Sequence, residues 1–240
     1  MRWQRWKATL AGAVGALAAL AAALVWTGAS GAPARAALDP SRFVRHVTNP
    51  FFPLKPGTLL VYRGVKDGKL QTDRVFVTYK TRLIQGVRAT RVQDIARHRG
   101  RLLEKTFDFY AQDKQGNVWY LGENTKAYEN GHVSTGGSWL TGRNGAQPGI
   151  IMEANPQPPD GYRQEYYKGH AEDQAWILSR GGHVRVPLGR LNHKLATLEW
   201  SPLEPKVVDK KVYARGYGIA REVSLTGAKE TALLVRVKRP

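Results

Sequence analysis

The sequence contains no cysteine, which excludes a disulfide scaffold, a thiolate metal site, a cysteine nucleophile and the lipid-modified cysteine of a lipoprotein. Acidic residues are also scarce, since 19 Asp and Glu stand against 37 Lys and Arg, for a net charge of +18. None of the 6 histidines lies in an H-x-H or H-E-x-x-H pattern, and no serine lies in G-x-S-x-G. Aromatic residues are plentiful, with 7 Trp, 10 Tyr and 6 Phe in 240 residues, so the chain is expected to fold.

The N-terminus has the pattern of an export signal. Basic residues precede an apolar stretch at residues 8–25, and Ala-Arg-Ala at residues 34–36 fits a cleavage site for a signal peptidase. We predict an apolar signal helix within residues 1–36. An uncleaved membrane anchor formed by residues 8–25 is the alternative, because 18 residues are close to the shortest span of a bilayer. In both cases the protein is predicted to act outside the cytoplasm, either secreted or anchored.

The remaining sequence is predicted to form a linker at residues 37–48 and one antiparallel β domain at residues 49–240. The strands are indicated by two-residue alternation of apolar and polar residues, which is clear at residues 72–80 and 87–96. Asp67-Gly68 and Arg99-Gly100 are typical of tight hairpin turns. The number and spacing of the candidate strands predict an antiparallel sheet curved into a half-barrel, a barrel or a sandwich, and we favour the half-barrel or barrel.

Two segments depart from this alternation. Residues 136–161 contain 6 Gly and 4 Pro, and are predicted to form a long loop that packs back on the sheet. Residues 171–180, with Ala175, Trp176 and Leu178, could form one short helix.

The positive charge is unevenly distributed. Without the first 36 residues the net charge is +14, and the middle of the chain, residues 111–178, is net negative at −3. Basic residues crowd two predicted hairpins: Arg88, Arg91, Arg97, Arg99 and Arg101 in one, and Lys206, Lys210, Lys211, Arg215 and Arg221 in the other. These flanks are predicted to face anionic envelope polymers or a membrane surface. A general basic bias of the proteome would explain them equally well. Nucleic acid is not expected as a partner, because no recognition module is visible.

Five sequence blocks resemble an uncharacterised family of exported bacterial all-β proteins. They are residues 49–57, 110–120, 145–152, 162–167 and 213–222. The last block is also similar to the terminal hairpin of half-barrel folds like those of lipoprotein carriers. The resemblance implies export and an all-β fold, and it brings no activity, cofactor or catalytic residue with it.

Two motifs invite a metal site. Residues 113–117, Asp-Lys-Gln-Gly-Asn, have closely spaced oxygen ligands, but the spacing fails the calcium-loop pattern and favours a hairpin turn. His183 and His193 flank a possible hairpin, where Glu199 or Glu172 could supply a third ligand. Exposed histidines at strand ends are the favoured interpretation, and we predict no metal and no cofactor.

Two functions follow from different features. In the first, a non-catalytic binding or carrier module holds an apolar or lipid-like ligand against aromatic residues of the sheet. The candidate ligand-binding residues are Trp119, Tyr120, Trp139, Tyr166 and Trp176. In the alternative, a small extracellular hydrolase acts on a glycan or anionic substrate with Glu and His side chains of the acidic middle.

The hydrolase would need paired carboxylates. The candidate pairs are Glu123 with Glu129 and Glu165 with Glu172. No catalytic residue is assigned, and the sequence leaves the oligomeric state open.

Overall fold

The computed structural model of the protein describes residues 38–129, 131–227 and 229–240, and the predicted signal segment at residues 1–36 lies outside them. Within the described residues the one helical element is a 3-10 turn at Pro40–Arg42. No helix in this part of the chain is long and apolar enough to cross a membrane. The prediction of an all-β domain is confirmed.

The described residues form eighteen strands. In chain order they are β1 (Phe43–Val44), β2 (Leu59–Lys66), β3 (Lys69–Ile84), β4 (Val87–His98), β5 (Arg101–Asp113), β6 (Val118–Glu129), β7 (His132–Ser134), β8 (Trp139–Leu140), β9 (Gln147–Met152), β10 (Gly161–Arg163), β11 (Glu165–Tyr166), β12 (Gln174–Arg180), β13 (His183–Val186), β14 (Gly189–Asn192), β15 (Lys194–Trp200), β16 (Val208–Ala214), β17 (Gly218–Thr226) and β18 (Glu230–Lys238).

Sixteen of these strands form a single antiparallel sheet, and β13 and β14 form a separate hairpin. The order across the sheet is β10-β12-β15-β16-β17-β18-β2-β3-β4-β5-β6-β9-β11, with β1 added to β5 and with β7 and β8 added to β6. Its two end strands are consecutive in the chain. Gly161–Arg163 pairs with β12 on one side, while Glu165–Tyr166 pairs with β9 on the other. The sheet is therefore nearly closed into a barrel, as predicted.

Three two-residue turns connect β2 to β5 as a meander. They are Asp67-Gly68, Gln85-Gly86 and Arg99-Gly100, and all six residues have positive φ. Two consecutive positive φ values define the type I′ turn, whose twist matches that of the flanking strands. The second residue is glycine in each turn because glycine adopts this conformation without a steric penalty. The two turns predicted from the sequence are confirmed.

The prediction of a short helix at residues 171–180 is wrong. Residues Gln174–Arg180 form β12 and pair with β15. Ala175 and Ile177 are buried while Trp176 and Leu178 are exposed, which is the two-residue alternation of a strand with one buried face. The three apolar residues in this window fit either the 3.6-residue period of a helix or the two-residue period of a strand. Pairing with β15 makes the segment a strand.

The long Pro- and Gly-rich loop predicted at residues 136–161 is interrupted by two strands, β8 and β9. Proline does not prevent β9 from joining the sheet, because its pairing with β6 begins at Gly149, after Pro148. Residues 150–152 bring their apolar side chains into this pairing. The expectation that the segment packs back on the sheet is confirmed.

The predicted linker at residues 37–48 is attached to the domain over its described part. Phe43 and Val44 form β1 and pair with the end of β5. The Gln112 side chain in β5 then accepts hydrogen bonds from the backbone N–H groups of Thr48 and Asn49, both at 2.8 Å. This segment is therefore part of the domain.

The sheet has two chemically different faces. Directly paired residues of neighbouring strands project to the same side of a sheet, so the register assigns every strand residue to a face. We call the face that contains Tyr62, Val75 and Tyr110 the inner face, since these side chains are buried in the interior of the barrel. The outer face is covered beside β1, where Phe43 and Leu38 pack against a cluster that contains Phe109 and Leu121.

Candidate functional site

Five carboxyl groups face the barrel interior from the strands β3 to β6. We call them the inner carboxyl cluster: Asp73, Asp94, Glu104, Asp108 and Glu123. They occupy three successive rows of paired residues. Asp73 and Glu104 lie in the first row, Asp94 in the second, and Asp108 and Glu123 in the third. Rows on one face are two residues apart, or about 6.6 Å, so the cluster extends for about 13 Å along the strands.

The cluster runs from the edge of the interior towards its centre. Glu104 and Asp94 are partly exposed, whereas Asp73, Asp108 and Glu123 are buried. The next row on the same face contains Tyr110 and Tyr120, which are paired across β5 and β6. Their rings are stacked, with centroids 4.8 Å apart. The carboxyl groups therefore line a path that ends on two tyrosine rings.

Hydrogen bonds connect most of the cluster. The Tyr120 hydroxyl donates to Asp108 Oδ1 at 2.7 Å and lies 3.2 Å from Glu123 Oε2. The hydroxyl of Thr125 donates to the same Glu123 oxygen, and it is 2.9 Å from the hydroxyl of Thr106. Thr106 in turn donates to Glu104. These hydrogen bonds fix the positions of the polar side chains of β5 and β6. Some other polar atoms of the interior do not take part in them.

Two buried polar atoms beside the cluster have no hydrogen-bond partner among the described residues. They are the hydroxyl of Tyr110, a residue with 0% exposure, and Oδ1 of Asp73, a residue with 2% exposure. Tyr110 lies close enough to Asp108 and Glu123 for both charges to act on its hydroxyl. An unsatisfied buried polar group costs about 1–3 kcal/mol, so native proteins rarely retain one without a reason.

Burial favours the protonated form of four carboxyl groups of the cluster, Asp73, Asp94, Glu104 and Asp108. Burial, together with the neighbouring Asp73, raises the pKa of Asp94 well above its usual range, and burial also raises the pKa of Asp73. Burial raises the pKa of Glu104 to about 8, although the hydrogen bond from Thr106 and the charge of Lys66 oppose the shift. Burial also raises the pKa of Asp108. Closely spaced carboxylates in a low-dielectric interior cannot all be ionised at neutral pH without a cation.

A second acidic group on the inner face contains a lysine. Lys211 Nζ lies 2.6 Å from Glu199 Oε2, and the other Glu199 oxygen accepts from Tyr213 and Thr197. Burial acts to raise the pKa of Glu199, but Lys211 and these donors bring it below its usual value. Glu222 pairs across the sheet with Lys211, and burial still raises its pKa to about 8.

The five predicted ligand-binding aromatic residues do not share one surface. Tyr120 and Trp139 lie together on the inner face, with ring centroids 5.3 Å apart, and Trp139 Nε1 donates to Glu165 Oε2. Trp119 lies on the outer face against Phe43. Trp176 is 46% exposed, and the Tyr166 ring stacks under the Arg163 guanidinium. Trp119 and Tyr120 are adjacent in one strand and must therefore point to opposite faces.

The sequence interpretation missed Asp73, Asp94, Glu104 and Asp108 as site residues. The alternation of buried and exposed positions along the strands could have identified them. Asp73 has the same parity as Val75 and Val77, and Asp94 has the same parity as Val92. A carboxyl residue in register with apolar neighbours indicates a buried charge, which is rare without a partner.

The calcium motif at residues 113–117 forms the turn between β5 and β6. Asp113 Oδ1 accepts from the backbone N–H groups of Gln115 and Asn117, and Oδ2 accepts from the Asn117 and Trp119 side chains. Burial acts to raise the pKa of Asp113, but these hydrogen bonds leave it below its usual value. The interpretation as a hairpin turn is confirmed, since both carboxylate oxygens serve the turn.

The histidine and glutamate side chains that were predicted to form sites do not come together in the structure. His183 lies at the start of the β13–β14 hairpin and pairs with Asn192, while Glu199 bonds with Lys211. Across the described part of the chain, no three His, Asp or Glu side chains form a group that could hold a metal ion. Glu123 and Glu129 are six residues apart in one strand, or about 20 Å.

The outer face of β2 to β6 carries the opposite charge. One row contains Arg74, Lys105 and Lys126, and the next row towards the hairpin turns contains Arg63 and Arg97. Arg91 lies over the Phe107 ring at 4.6 Å from its centroid. We call these six residues the basic outer face. No acidic residue has an outward position in these rows, because the carboxyl groups of the same strands belong to the inner cluster.

The basic outer face differs in part from the two basic clusters predicted from the sequence. Arg91 and Arg97 belong to both. Lys211, predicted as a surface charge, is instead buried in its ion pair with Glu199. Near β1, a shallow groove of about 510 Å³ adds Arg45 and Arg88 to the outer surface.

No protein-family model matches the sequence, and no curated protein matches it. Two solved structures are similar. One is a predicted exported protein with a YmcC-like fold from Bacteroides fragilis, with 18% identity, a TM-score of 0.46, and coverage of 79% of this chain and 99% of the other. The second is a predicted lipoprotein from Parabacteroides distasonis, with 15% identity, a TM-score of 0.38 and the same coverage. Similarity at this level indicates nothing about the function of this chain.

Proposed function

We propose that the protein is an exported, non-catalytic protein of the cell envelope that binds an anionic envelope polymer through its basic outer face. The observation that carries this proposal is the separation of charge across one sheet. In β2 to β6 the arginines and lysines of the basic outer face project to solvent, and the acidic residues of the same rows project inward. The electrostatic potential at the outer surface of these strands is therefore more positive than the net charge of the chain suggests.

The geometry of this face suits an extended polyanion. Arg74, Lys105 and Lys126 lie in one row that crosses four strands, or about 15 Å at the usual strand spacing. A linear chain of phosphate or carboxylate groups can contact several of these cations at once. The Arg91 guanidinium lies over the Phe107 ring, and a guanidinium can make bidentate contact with an oxyanion.

Export rests on the first 36 residues, whose basic start, apolar stretch and Ala-Arg-Ala segment are typical of a signal peptide. Whether the signal is removed or retained as an anchor, the domain acts outside the cytoplasm. Anionic polymers are abundant there, so the charge of the outer face has a partner in that compartment.

The carrier and hydrolase alternatives remain predictions that the geometry favours less. An apolar or lipid-like ligand would have to displace carboxyl groups from the inner face beside Tyr120 and Trp139. A hydrolase would need Glu123 and Glu165 to reach a substrate, and both are buried.

Polyphosphate is a defined probe for the proposal. The purified protein should bind it with an affinity that falls steeply with salt, because binding releases condensed counterions. The triple variant Arg74→Gln, Lys105→Gln, Lys126→Gln should bind roughly 100-fold more weakly, since each cation near an anionic surface contributes about 1 kcal/mol. Its salt dependence should also be shallower by about two to three in the slope of log K against log salt.

The matched control removes three exposed charges elsewhere, Lys168→Gln, Arg185→Gln and Lys206→Gln. Equal losses in the two triple variants would show that net charge alone drives binding and would contradict a defined face. Vesicles with anionic lipid provide the second arm of the test. If they bind the protein more tightly than polyphosphate, the partner is the membrane surface and the polymer proposal fails.

A further inference from the structure

A groove lies between β1 and the turn of the β3–β4 hairpin. β5 pairs with β4 as far as Tyr110, which lies opposite Thr90, and at Gln112 it pairs with β1 instead. β1 therefore takes the place beside β5 that β4 leaves, and the two strands separate there. We call the space between them the β1 groove. It has a volume of about 510 Å³ and is lined by Pro40, Phe43, Val44, Arg45, Gly86 and Arg88.

Contacts with the rest of the domain fix the walls of the β1 groove. Phe43 packs against the outer cluster that contains Val87, and its ring meets the Trp119 ring edge to face, with centroids 6.2 Å apart. Pro40 lies so close to Gly86 that a Cβ atom on the glycine would be 2.8 Å from Pro40 Cγ. A preformed site loses less free energy to ordering when a ligand binds.

The charged residues of the lining are both positive. Arg45 and Arg88 are exposed, and neither guanidinium forms an ion pair with a carboxylate among the described residues. The Arg88 guanidinium lies 3.4 Å from the hydroxyl of Thr81, which is a neutral partner. Two arginines that line one groove without a counter-charge favour an anion there.

The presence of two arginines favours a phosphate monoester over a carboxylate. A phosphate monoester carries a charge of about −1.5 to −2 at pH 7 and has three strong acceptor oxygens. Each guanidinium presents its donors in a planar fork that matches such oxygens. One phosphate can therefore accept from both arginines and neutralise both charges, whereas one carboxylate neutralises a single arginine.

The other lining residues indicate what the phosphate is attached to. Pro40, Phe43, Val44 and Gly86 have no polar side-chain atom, so the hydroxyl groups of a sugar would gain no side-chain hydrogen bond from them. An alkyl or aryl group instead packs on the Phe43 ring and on Val44, an apolar residue that is 36% exposed. The volume of the groove lies within the usual range of about 300–1,000 Å³ for sites of small organic molecules.

We propose that the β1 groove binds a soluble alkyl or aryl phosphate monoester, with its phosphate at Arg45 and Arg88 and its apolar part against Phe43 and Val44. This site is separate from the basic outer face, and the proposal does not rest on polymer binding. The basic outer face presents a row of cations to a repeating polyanion. The β1 groove presents two cations and an apolar surface to one small molecule.

The test is a calorimetric titration of the purified full chain with hexyl phosphate at pH 7. We expect saturable binding of one molecule per chain. Hexyl sulfate has the same alkyl chain but a single charge, and it should bind at least threefold more weakly. Inorganic phosphate lacks the apolar part and should bind at least tenfold more weakly. Equal affinities for hexyl phosphate and either of these anions would contradict the proposed contacts.

Variants at exposed positions separate the two kinds of contact. The double variant Arg45→Gln, Arg88→Gln should bind hexyl phosphate at least tenfold more weakly, because it loses both charged donors. Val44→Ser should weaken hexyl phosphate binding about threefold and leave the binding of inorganic phosphate unchanged. The matched control, Arg190→Gln with Arg215→Gln, removes two exposed arginines elsewhere and should change the affinity less than twofold.

Absence of saturable binding, or an equal loss in the control and in the groove double variant, would overturn the proposal. Vesicles that contain phosphatidic acid provide a further arm. If they bind more tightly than hexyl phosphate and the groove double variant abolishes this binding, the site belongs to a membrane lipid and the proposal of a soluble ligand fails. The triple variant of the basic outer face should retain its affinity for hexyl phosphate within twofold, so this proposal and the polymer proposal can fail separately.

Discussion

One of the two acidic groups of the barrel interior contains a lysine in direct contact with a carboxylate, and comparison with the other group shows what that contact changes. In β15 to β17, Lys211 lies between Glu199 and Glu222, and Glu199 has a lowered pKa. In β3 to β6, burial raises the pKa values of Asp73, Asp94, Glu104 and Asp108.

This difference shows how one fold solves the problem of buried acid in two ways. A lysine from the next strand makes the carboxylate of Glu199 a fixed part of the structure. In the inner carboxyl cluster, burial raises the pKa values of Asp73, Asp94, Glu104 and Asp108 and favours their neutral form, so this region depends on pH. The stability of the lysine-containing group should depend little on pH near neutrality, whereas the stability of the inner carboxyl cluster should depend on it.

The largest effect is expected from removal of the lysine. Lys211→Met leaves Glu199 buried without its cation, and we expect a loss of about 3–5 kcal/mol in the free energy of unfolding. Urea denaturation at pH 7 measures it. The neighbouring Lys210 projects to the outer face, so Lys210→Met should cost less than about 0.5 kcal/mol. A loss below about 1 kcal/mol for Lys211→Met would mean that the two groups do not differ as described.

The next effect is the pH dependence of the inner carboxyl cluster. A carboxyl group such as Glu104, whose pKa is raised to about 8 in the folded state, stabilises the fold below its unfolded pKa of about 4.3. That contribution is lost as the pH rises through 8. Glu104→Gln should therefore be more stable than the parent protein at pH 9, by about 1–3 kcal/mol after allowance for its partial exposure, and nearly equal to it at pH 4.

The urea midpoint of both proteins at pH 4, 7 and 9 checks this expectation. Glu199→Gln is the matched comparison, because its carboxylate has a lowered pKa and should be needed at neutral and alkaline pH. Stability curves that run parallel for Glu104→Gln and the parent would show that Glu104 is ionised in the fold.

The smallest effect compares two tyrosine hydroxyls. Tyr213 donates to Glu199, an ionised acceptor, at 3.0 Å, and Tyr120 donates to Asp108, a group with a raised pKa, at 2.7 Å. Hydrogen bonds to charged groups are the stronger kind. Tyr213→Phe should therefore cost about 2 kcal/mol and Tyr120→Phe about 1 kcal/mol in urea denaturation at pH 7. The reverse order would place the ionised carboxylate in the β3 to β6 group.

The fold was largely predictable because its strands alternate cleanly and its turns are specific. Asp67-Gly68 and Arg99-Gly100 fix the register of β2 to β5, so the faces of these strands follow from the sequence. The segment at residues 171–180 was not predictable, since its strand character depends on pairing with β15, which lies about 20 residues later in the chain.

The candidate site was less accessible from the sequence. Summed charge over the thirds of the chain drew attention to residues 111–178, while four of the five carboxyl groups of the inner cluster lie before residue 111. Charge summed along a chain averages over both faces of each strand and so hides a separation of acid and base across the sheet. Tyr120 was identified through its aromatic ring, and its partner Tyr110 became visible only through the pairing of β5 with β6.

The junction between β10 and β11 has a consequence for association between copies. Most open sheets end in strands whose unpaired N–H and C=O groups can template further strands. Here the two edges are three and two residues long, and residue 164 joins them directly. These two short edges offer a neighbouring copy little ladder to extend, so they should not promote edge-to-edge polymerisation of the domain.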